Sequence, residues 1–187
     1  MYKNAINDII KADLYRYYGN TSYKIFLKCF FTNPGFKFTY FLRKCSFYCG
    51  KNLKSVFFKL FYREYSIKYG FDIDYNSEIG KGLYIGHYGG IVINPEVKIG
   101  KNVNINHGVT IGQTNRGSRK GVPVIGNKVW IGAHAIIVGK IVIGDNVLIG
   151  PGAYVNFDVS ENAVVIGNPG KIISFNGTEG YINRAVD

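Results

Sequence analysis

The sequence predicts a mainly β protein: a solenoid of short parallel strands preceded by a small, basic α-helical region. Two observations carry this. From Ile79 onward an aliphatic residue recurs every six positions, usually followed by glycine. A change of composition near Phe71–Asp72 separates that repeat from a stretch rich in aromatic residues and lysine.

The repeat comes first. One register gives Ile79-Gly80, Ile85-Gly86 and Ile91. A two-residue slip then gives Ile93, Ile99-Gly100, Ile105 and Ile111-Gly112. After a loop the pattern resumes at Ile125-Gly126, Ile131-Gly132, Ile137, Ile143-Gly144, Ile149-Gly150 and Val155. An α-helix cannot use a period of six, because 3.6 residues per turn would smear the aliphatic positions around its surface. A parallel β-helix can. Three six-residue sides close one triangular coil, the aliphatic residue points into the prism, and glycine allows the turn that follows. Residues 72–173 then form roughly five to six coils. One coil buries about three aliphatic side chains worth roughly 1.5–3 kcal/mol each, against about 1–2 kcal/mol of backbone ordering per residue. No coil stands alone, so neighbours must stack and share a core.

The region before it, residues 1–71, holds 13 Lys/Arg against 3 Asp/Glu, a net of +10 out of +11 for the whole chain. It also holds 21 of the 29 aromatic residues. Segments Tyr2–Tyr18, Ser22–Phe31, Phe36–Cys49 and Leu53–Tyr69 read as short helices, with Asn33-Pro34-Gly35 breaking the second from the third. Lysines interrupt the aromatic run too often for a membrane span. The amino terminus, Met1 to Ala5, leads into a mixed polar stretch and not a signal-peptide core, so a cytoplasmic location is expected. The interleaving of cations with Phe and Tyr suits the inner face of an anionic membrane; the same residues suit a helical cap packed on the solenoid, and the two readings are compatible. Nucleic-acid binding is not expected, because no module motif accompanies the charge. The three cysteines, Cys29, Cys45 and Cys49, are an odd count with no disulfide framework. Residues 174–187 read as a tail.

The chain has three histidines. His87 lies two past Ile85 and His107 two past Ile105, so the repeat predicts that they stack on one edge of the prism. Counting by sixes alone, Asn127 and Asp145 continue the same column. By the same count Gln113, Ala133 and Pro151 form a second ladder, while His134, three past Ile131, falls outside the His87 column.

The stretch Phe71-Asp72-Ile73-Asp74, then Ile79 to His87, then Gly90-Ile91-Val92-Ile93, resembles the active-site coil of serine acetyltransferases, members of the hexapeptide-repeat acyltransferases. The likeness continues through Gly108-Val109-Thr110-Ile111-Gly112 and Val129-Trp130-Ile131-Gly132-Ala133. It ends at Ile166-Gly167-Asn168-Pro169-Gly170-Lys171, similar to that family's closing Gly-x-Pro-Ala-(Lys/Arg) motif. The resemblance implies a left-handed coil, against the usual right-handed crossover. It also implies acetyl-CoA as co-substrate, a homotrimer whose donor groove needs two subunits, and a catalytic pair of His87 and Asp72. Histidine is suited to removing the acceptor hydroxyl proton near neutral pH, and the aspartate would fix its tautomer. The donor residues implied are Gly112, Gln113, Gly132, Ala133 and Pro151, with Asn168, Pro169 and Lys171 near the adenine and phosphates. Backbone N–H groups of the glycine-rich turns near Gly112 would hold the oxyanion.

The loop Gln113–Pro123 interrupts the repeat and carries Arg116, Arg119 and Lys120, cations suited to an acidic acceptor or the CoA phosphates. His107, Arg116 and Arg119 are the candidate acceptor-binding residues. Serine acetyltransferases place an acid immediately before the catalytic histidine and an Arg-His pair before a proline. Here those positions read Gly86 and Gly121-Val122, so the groups that would hold the charged ends of serine are absent. The expected acceptor is therefore a sugar hydroxyl of a bacterial surface glycan or its precursor, with serine as the rival. A zinc hydratase on the same solenoid would need three histidine ligands; with His134 off the column, no metal is expected.

Overall fold

A computed structural model describes residues 2–48, 50 and 52–187, with the side chains of residues 2–5 left aside. Cys49, where the third helix was expected to end, lies outside the described residues.

Four helices come first: α1 (Tyr2–Tyr18), α2 (Tyr23–Thr32), α3 (Pro34–Phe47) and α4 (Leu53–Tyr69). Pro34 occupies the first turn of α3, where its missing N–H costs nothing. Asn52 caps α4, its side chain accepting from the Ser55 N–H at 2.9 Å. The remainder is a left-handed parallel β-helix of about five turns. One side stacks β1 (Phe71–Ile73), β4 (Ile91–Ile93), β7 (Thr110–Gly112), β10 (Ile136–Val138) and β13 (Tyr154–Val155). The second stacks β2 (Glu78–Ile79), β5 (Lys98–Ile99), β8 (Val124–Ile125) and β11 (Val142–Ile143). The third stacks β3 (Tyr84–Ile85), β6 (Asn104–Ile105), β9 (Trp130–Ile131), β12 (Leu148–Ile149) and β14 (Val164–Ile166). The last strand, β15 (Lys171–Ser174), pairs antiparallel with β14.

The strand register carries the repeat into three dimensions. Ile85, Ile105, Ile131, Ile149 and Val165 lie directly above one another, as do Ile73, Ile93, Ile111, Ile137 and Val155. Nearly all are fully buried and form one continuous core. In the first coil both Ile91 and Ile93 point inward, so the two-residue slip falls in the turn between Ile85 and Ile91. That turn carries His87.

A solenoid end exposes strand N–H and C=O groups that the next coil would otherwise pair, and the helices supply those partners. Buried Asp13 accepts from the Gly82 and Leu83 N–H groups at 2.8 and 2.9 Å. Buried Arg43 donates to the Ile79 and Gly80 carbonyls at 2.6 Å each and to Asp13 at 2.9 Å. The Arg16 guanidinium donates to the Gly82 carbonyl and to Asn104 Oδ1, and the Tyr17 hydroxyl donates to the Ile85 carbonyl. Tyr62 donates to the Ile73 carbonyl. Helix α3 sits so close to β3 that a Cβ on Gly35 would lie 2.1 Å from the Ile85 carbonyl oxygen. The cap reading of the basic half is thus realised for α1 and α3.

The tail folds back along the third side. Tyr181 packs edge-on against Trp130 with centroids 4.9 Å apart, the Val186 N–H donates to Asn102 Oδ1 at 2.9 Å, and Arg184 hydrogen-bonds the Tyr17 carbonyl. The last residues therefore strap the lower coils to α1.

Candidate active site

The site is built on the edge where the third side turns into the first. Because Ile85 pairs with Ile105, Ile105 with Ile131 and Ile131 with Ile149, the residues two positions on form one column: His87, His107, Ala133 and Pro151. Gly167, two past Val165, continues it and leads through a cis Asn168–Pro169 bond to Lys171. Four strand steps of about 4.8 Å separate the two ends, roughly 19 Å of straight edge.

This register corrects the column assignment made from the six-residue period. Asn127 and Asp145 lie two past Ile125 and Ile143 on the second side, so they occupy a different edge. There they form a structural ladder: Asp145 accepts from the Asn127 N–H at 2.7 Å, and Asn127 accepts from the Lys101 N–H at 2.9 Å. Gln113 and Gly112 follow Ile111 at the far end of the first side, apart from Ala133 and Pro151. Gln113 accepts from the Asn94 amide at 3.3 Å and donates to Asn115 at 2.8 Å. The spatial repeat is one coil of three sides, and a period of six cannot say which of three edges a residue meets.

His87 is exposed at the mouth of its turn. Its ring stands edge-to-face on His107, centroids 5.9 Å apart at 89°. His107 in turn meets His134 edge-to-face, centroids 5.0 Å apart at 90°. The structure therefore joins His134 to the site, although its Cα lies one residue off the column. His134 adopts a left-handed backbone, φ 59°, at the point where neighbouring coils carry Gly108 and Gly152 in the same conformation. Its imidazole occupies the space over Gly108, where a Cβ would come within 2.2 Å of His134 Nδ1. A bulky residue in this region is uncommon and marks a place to look for function. The signal was present in the sequence as a histidine where the repeat otherwise sets glycine. His107 Nδ1 is buried without a hydrogen-bond partner, an exception to the usual pairing of buried polar atoms. Among the described residues no group of three His, Cys, Asp or Glu side chains is placed to hold a metal ion.

Asp72 is the outward, exposed residue of β1, one strand step from Val92. Among the described residues no hydrogen bond joins it to His87. A depression of about 390 Å³ opens beside it, lined by Ser66, Ile67, Gly70 and Phe71. Lower on the donor edge, a cleft of about 720 Å³ lies between Pro151, Trp130, Ile166 and the Tyr181 of the tail strap. Pro169 and Lys171 are both exposed. The loop after Gln113 is a small hairpin closed by a Thr114–Gly121 bridge. It leaves the edge between the first and second sides, so Arg116 and Arg119 do not share the His87 edge within one chain. Arg119 pairs with Asp158 at 3.1 Å; the Val142 N–H at 2.8 Å, and then Arg119, lower the Asp158 carboxyl from its ordinary value.

Residues 123–156 match the family model for the bacterial transferase hexapeptide (six repeats). The solenoid carries this hexapeptide repeat. Curated proteins similar to it include serine acetyltransferases. The chloroplastic serine acetyltransferase 1 of Arabidopsis thaliana is 44% identical over 108 residues, 58% of this chain and 34% of that protein. The serine acetyltransferase of Helicobacter pylori is 40% identical over 105 residues, 56% of this chain and 61% of that protein. The chain thus spans between about a third and three fifths of the length of these relatives. Among solved structures, the serine acetyltransferase of Neisseria gonorrhoeae in complex with serine superposes with a TM-score of 0.75 and 29% identity, covering 91% of this chain and 70% of that one. The soybean enzyme complexed with serine gives 0.75 and 28%, with the same coverage. The hexapeptide solenoid and its helical cap are therefore shared with these proteins as a fold.

Proposed function

We propose that this chain transfers an acetyl group from acetyl-CoA to a hydroxyl, with His87 as the base. The observation that carries this is the single straight edge that begins at the exposed His87 and ends at Lys171. An extended thioester donor fits along such an edge, with Gly132, Ala133 and Pro151 offering small side chains to its arm and Lys171 a cation to its phosphates. Similarity to serine acetyltransferases supplies the donor and the chemistry.

In the reaction the His87 imidazole takes the acceptor hydroxyl proton as the oxygen attacks the thioester carbonyl. The tetrahedral oxyanion collapses, the C–S bond breaks, and the departing thiolate takes the proton back from the imidazolium. Base catalysis of this kind contributes about 10²–10⁴-fold. Asp72, exposed on the first side beside Val92, is assigned to orienting the imidazole because the resemblance implies that pair. The loop cations Arg116 and Arg119 lie off the His87 edge of their own chain; in the homotrimer that the resemblance implies, a second copy would bring its loop to the site.

Serine is the acceptor that the relatives point to, and it stands first at the level of the comparisons. A glycan hydroxyl is the second reading, and one observation favours it. Gly86 and Gly121-Val122 replace the acid and the Arg-His pair that grip the charged ends of an amino acid, while His107 and His134 add two imidazole rings beside His87. Free-thiol release from acetyl-CoA, measured for the wild type and His87→Ala with and without L-serine, tests both. Loss of turnover in His87→Ala is expected. Serine-stimulated turnover selects the first acceptor; His87-dependent turnover that serine leaves unchanged and an oligosaccharide raises selects the second. Turnover that survives in His87→Ala overturns the assignment of the base.

A further inference from the structure

Helix α4 buries the wrong side for a soluble helix. Toward α3 and the solenoid it presents Ser55, Phe58, Tyr62, Tyr65 and Tyr69. Toward solvent it presents Leu53, Val56, Phe57, Leu60 and Ile67, which are 89%, 51%, 52%, 64% and 74% exposed. These five fall at spacings of three, four and seven along one helical face, a stripe about 100° wide. Exposed Arg63 borders the stripe on one flank, and exposed Lys54 and Lys68 border it on the other, with Glu64 the single acid on that face. Glu64 lies within the stripe, between Leu60 and Ile67, so the continuous part is Leu53, Val56, Phe57 and Leu60; an exposed apolar face of this kind marks an interaction surface.

We propose that this face of α4 docks on an anionic lipid surface, lying in the headgroup layer without crossing it. Charge complementarity selects this occupant. The face belongs to a half-chain with a net charge of +10, so a second copy packed on the same face would press like-charged flanks together, whereas anionic headgroups neutralise them. Aliphatic residues at the centre with Lys and Arg at the margins is the arrangement that inserts side chains to the acyl boundary and keeps cations among phosphates. No described helix is long and apolar enough to cross a membrane, which restricts the contact to the interface.

The placement has a consequence for the reaction. The carboxyl end of α4 runs into the His87 turn: Tyr69 stacks against Tyr88, centroids 5.8 Å apart, and Tyr88 directly follows His87. Tyr69 lies on the side of α4 opposite the stripe, so a docked α4 sets the His87 turn about one helix diameter, roughly 10–12 Å, from the lipid surface. That consequence rests on the acetyl-transfer reading; the docking itself does not.

The test uses the full chain with vesicles of phosphatidylcholine alone and with about 30% phosphatidylglycerol, read by co-sedimentation. Binding to the anionic vesicles and weakening in about 0.5 M salt are expected. Lys54→Ala/Arg63→Ala/Lys68→Ala is expected to lower partitioning about 100-fold, about fivefold (about 1 kcal/mol) per cation. Val56→Ser/Leu60→Ser/Ile67→Ser is expected to abolish it. All six side chains are exposed, so thermal melting is expected to stay at the parent value and confirms that each variant is folded. Equal binding to both vesicles, no binding by the parent, or unchanged binding by the serine variant overturns the proposal. So does sedimentation velocity in which the serine variant splits an assembly that the parent forms, which would place a second copy on this face. None of these readouts depends on catalysis, so they stand or fall apart from the activity assay.

Discussion

Replacing Asp13 with alanine is expected to unseat the helical cap from the solenoid. The carboxylate has four contacts: the Gly82 and Leu83 N–H groups at 2.8 and 2.9 Å, and Arg43 at 2.9 and 3.4 Å. Burial pushes this carboxyl above its ordinary 3.8, with Arg43 and then the two amides pulling it back. Alanine leaves two buried amide donors without acceptors, about 1–3 kcal/mol each. It also strands the Arg43 guanidinium on two carbonyls alone. Breaking a buried pair from one side costs about 3–5 kcal/mol, and the two tallies agree. With a urea m-value of about 2 kcal/mol/M, the midpoint should fall by about 2 M. Asp13→Asn keeps an acceptor for the amides and should fall less. Glu78→Ala, which breaks the exposed Glu78–Lys98 pair at 2.9 Å, serves as control and should move by less than about 0.5 kcal/mol. The reasoning is refuted if Asp13→Ala shifts the midpoint no further than Glu78→Ala, because the cap would then not depend on pairing the open coil.

Two further outcomes are expected. Burial raises the Cys29 thiol from 9.0 to about 12, the Cys45 thiol from 9.0 to about 11 and the Tyr62 hydroxyl from 10.0 to about 12. A folded value above the unfolded one means that the stability contributed is complete below about pH 9 and is lost as pH rises through 11 to 12. The urea midpoint should therefore hold to about pH 9 and fall toward pH 12, and Cys29→Val should make that fall shallower; an unchanged slope refutes the assignment. His134→Gly removes a side chain from a left-handed position, a conformation that costs a non-glycine residue about 1–2 kcal/mol. It should leave stability within about 1 kcal/mol while lowering His87-dependent turnover, and equal turnover would make His134 a bystander.

The edge-forming logic of this solenoid was legible in residues such as Ile85, Ile105, Ile131 and Ile149, because one inward aliphatic per side is the least a coil needs to share a core with its neighbours. The two-residue slip at Ile91–Ile93 was also visible, and it became the turn that lifts His87 out of the wall. What counting could not supply was the choice of edge. Gln113 reads as a partner of Ala133 and Pro151, and Asp145 as one of His87, because all lie two past an aliphatic residue. Hydrogen bonding between coils pairs whole turns, so equivalence runs from one coil to the next, shifted by the insertions at the His87 turn and the Gln113–Pro123 loop.

By itself, then, the sequence determined the repeat, the inward ladders, the helical character of the basic half and the stacking of His87 on His107, all set by local spacing and side-chain type. Only the tertiary structure decided that His134 joins them, that the tail straps back to α1, and that Asp13, Arg43 and Tyr62 serve as the missing coil. It alone also decided which face of α4 turns outward. Each of these joins residues far apart in the chain, and each is fixed by which unpaired backbone groups and apolar surfaces remain once the coils have closed.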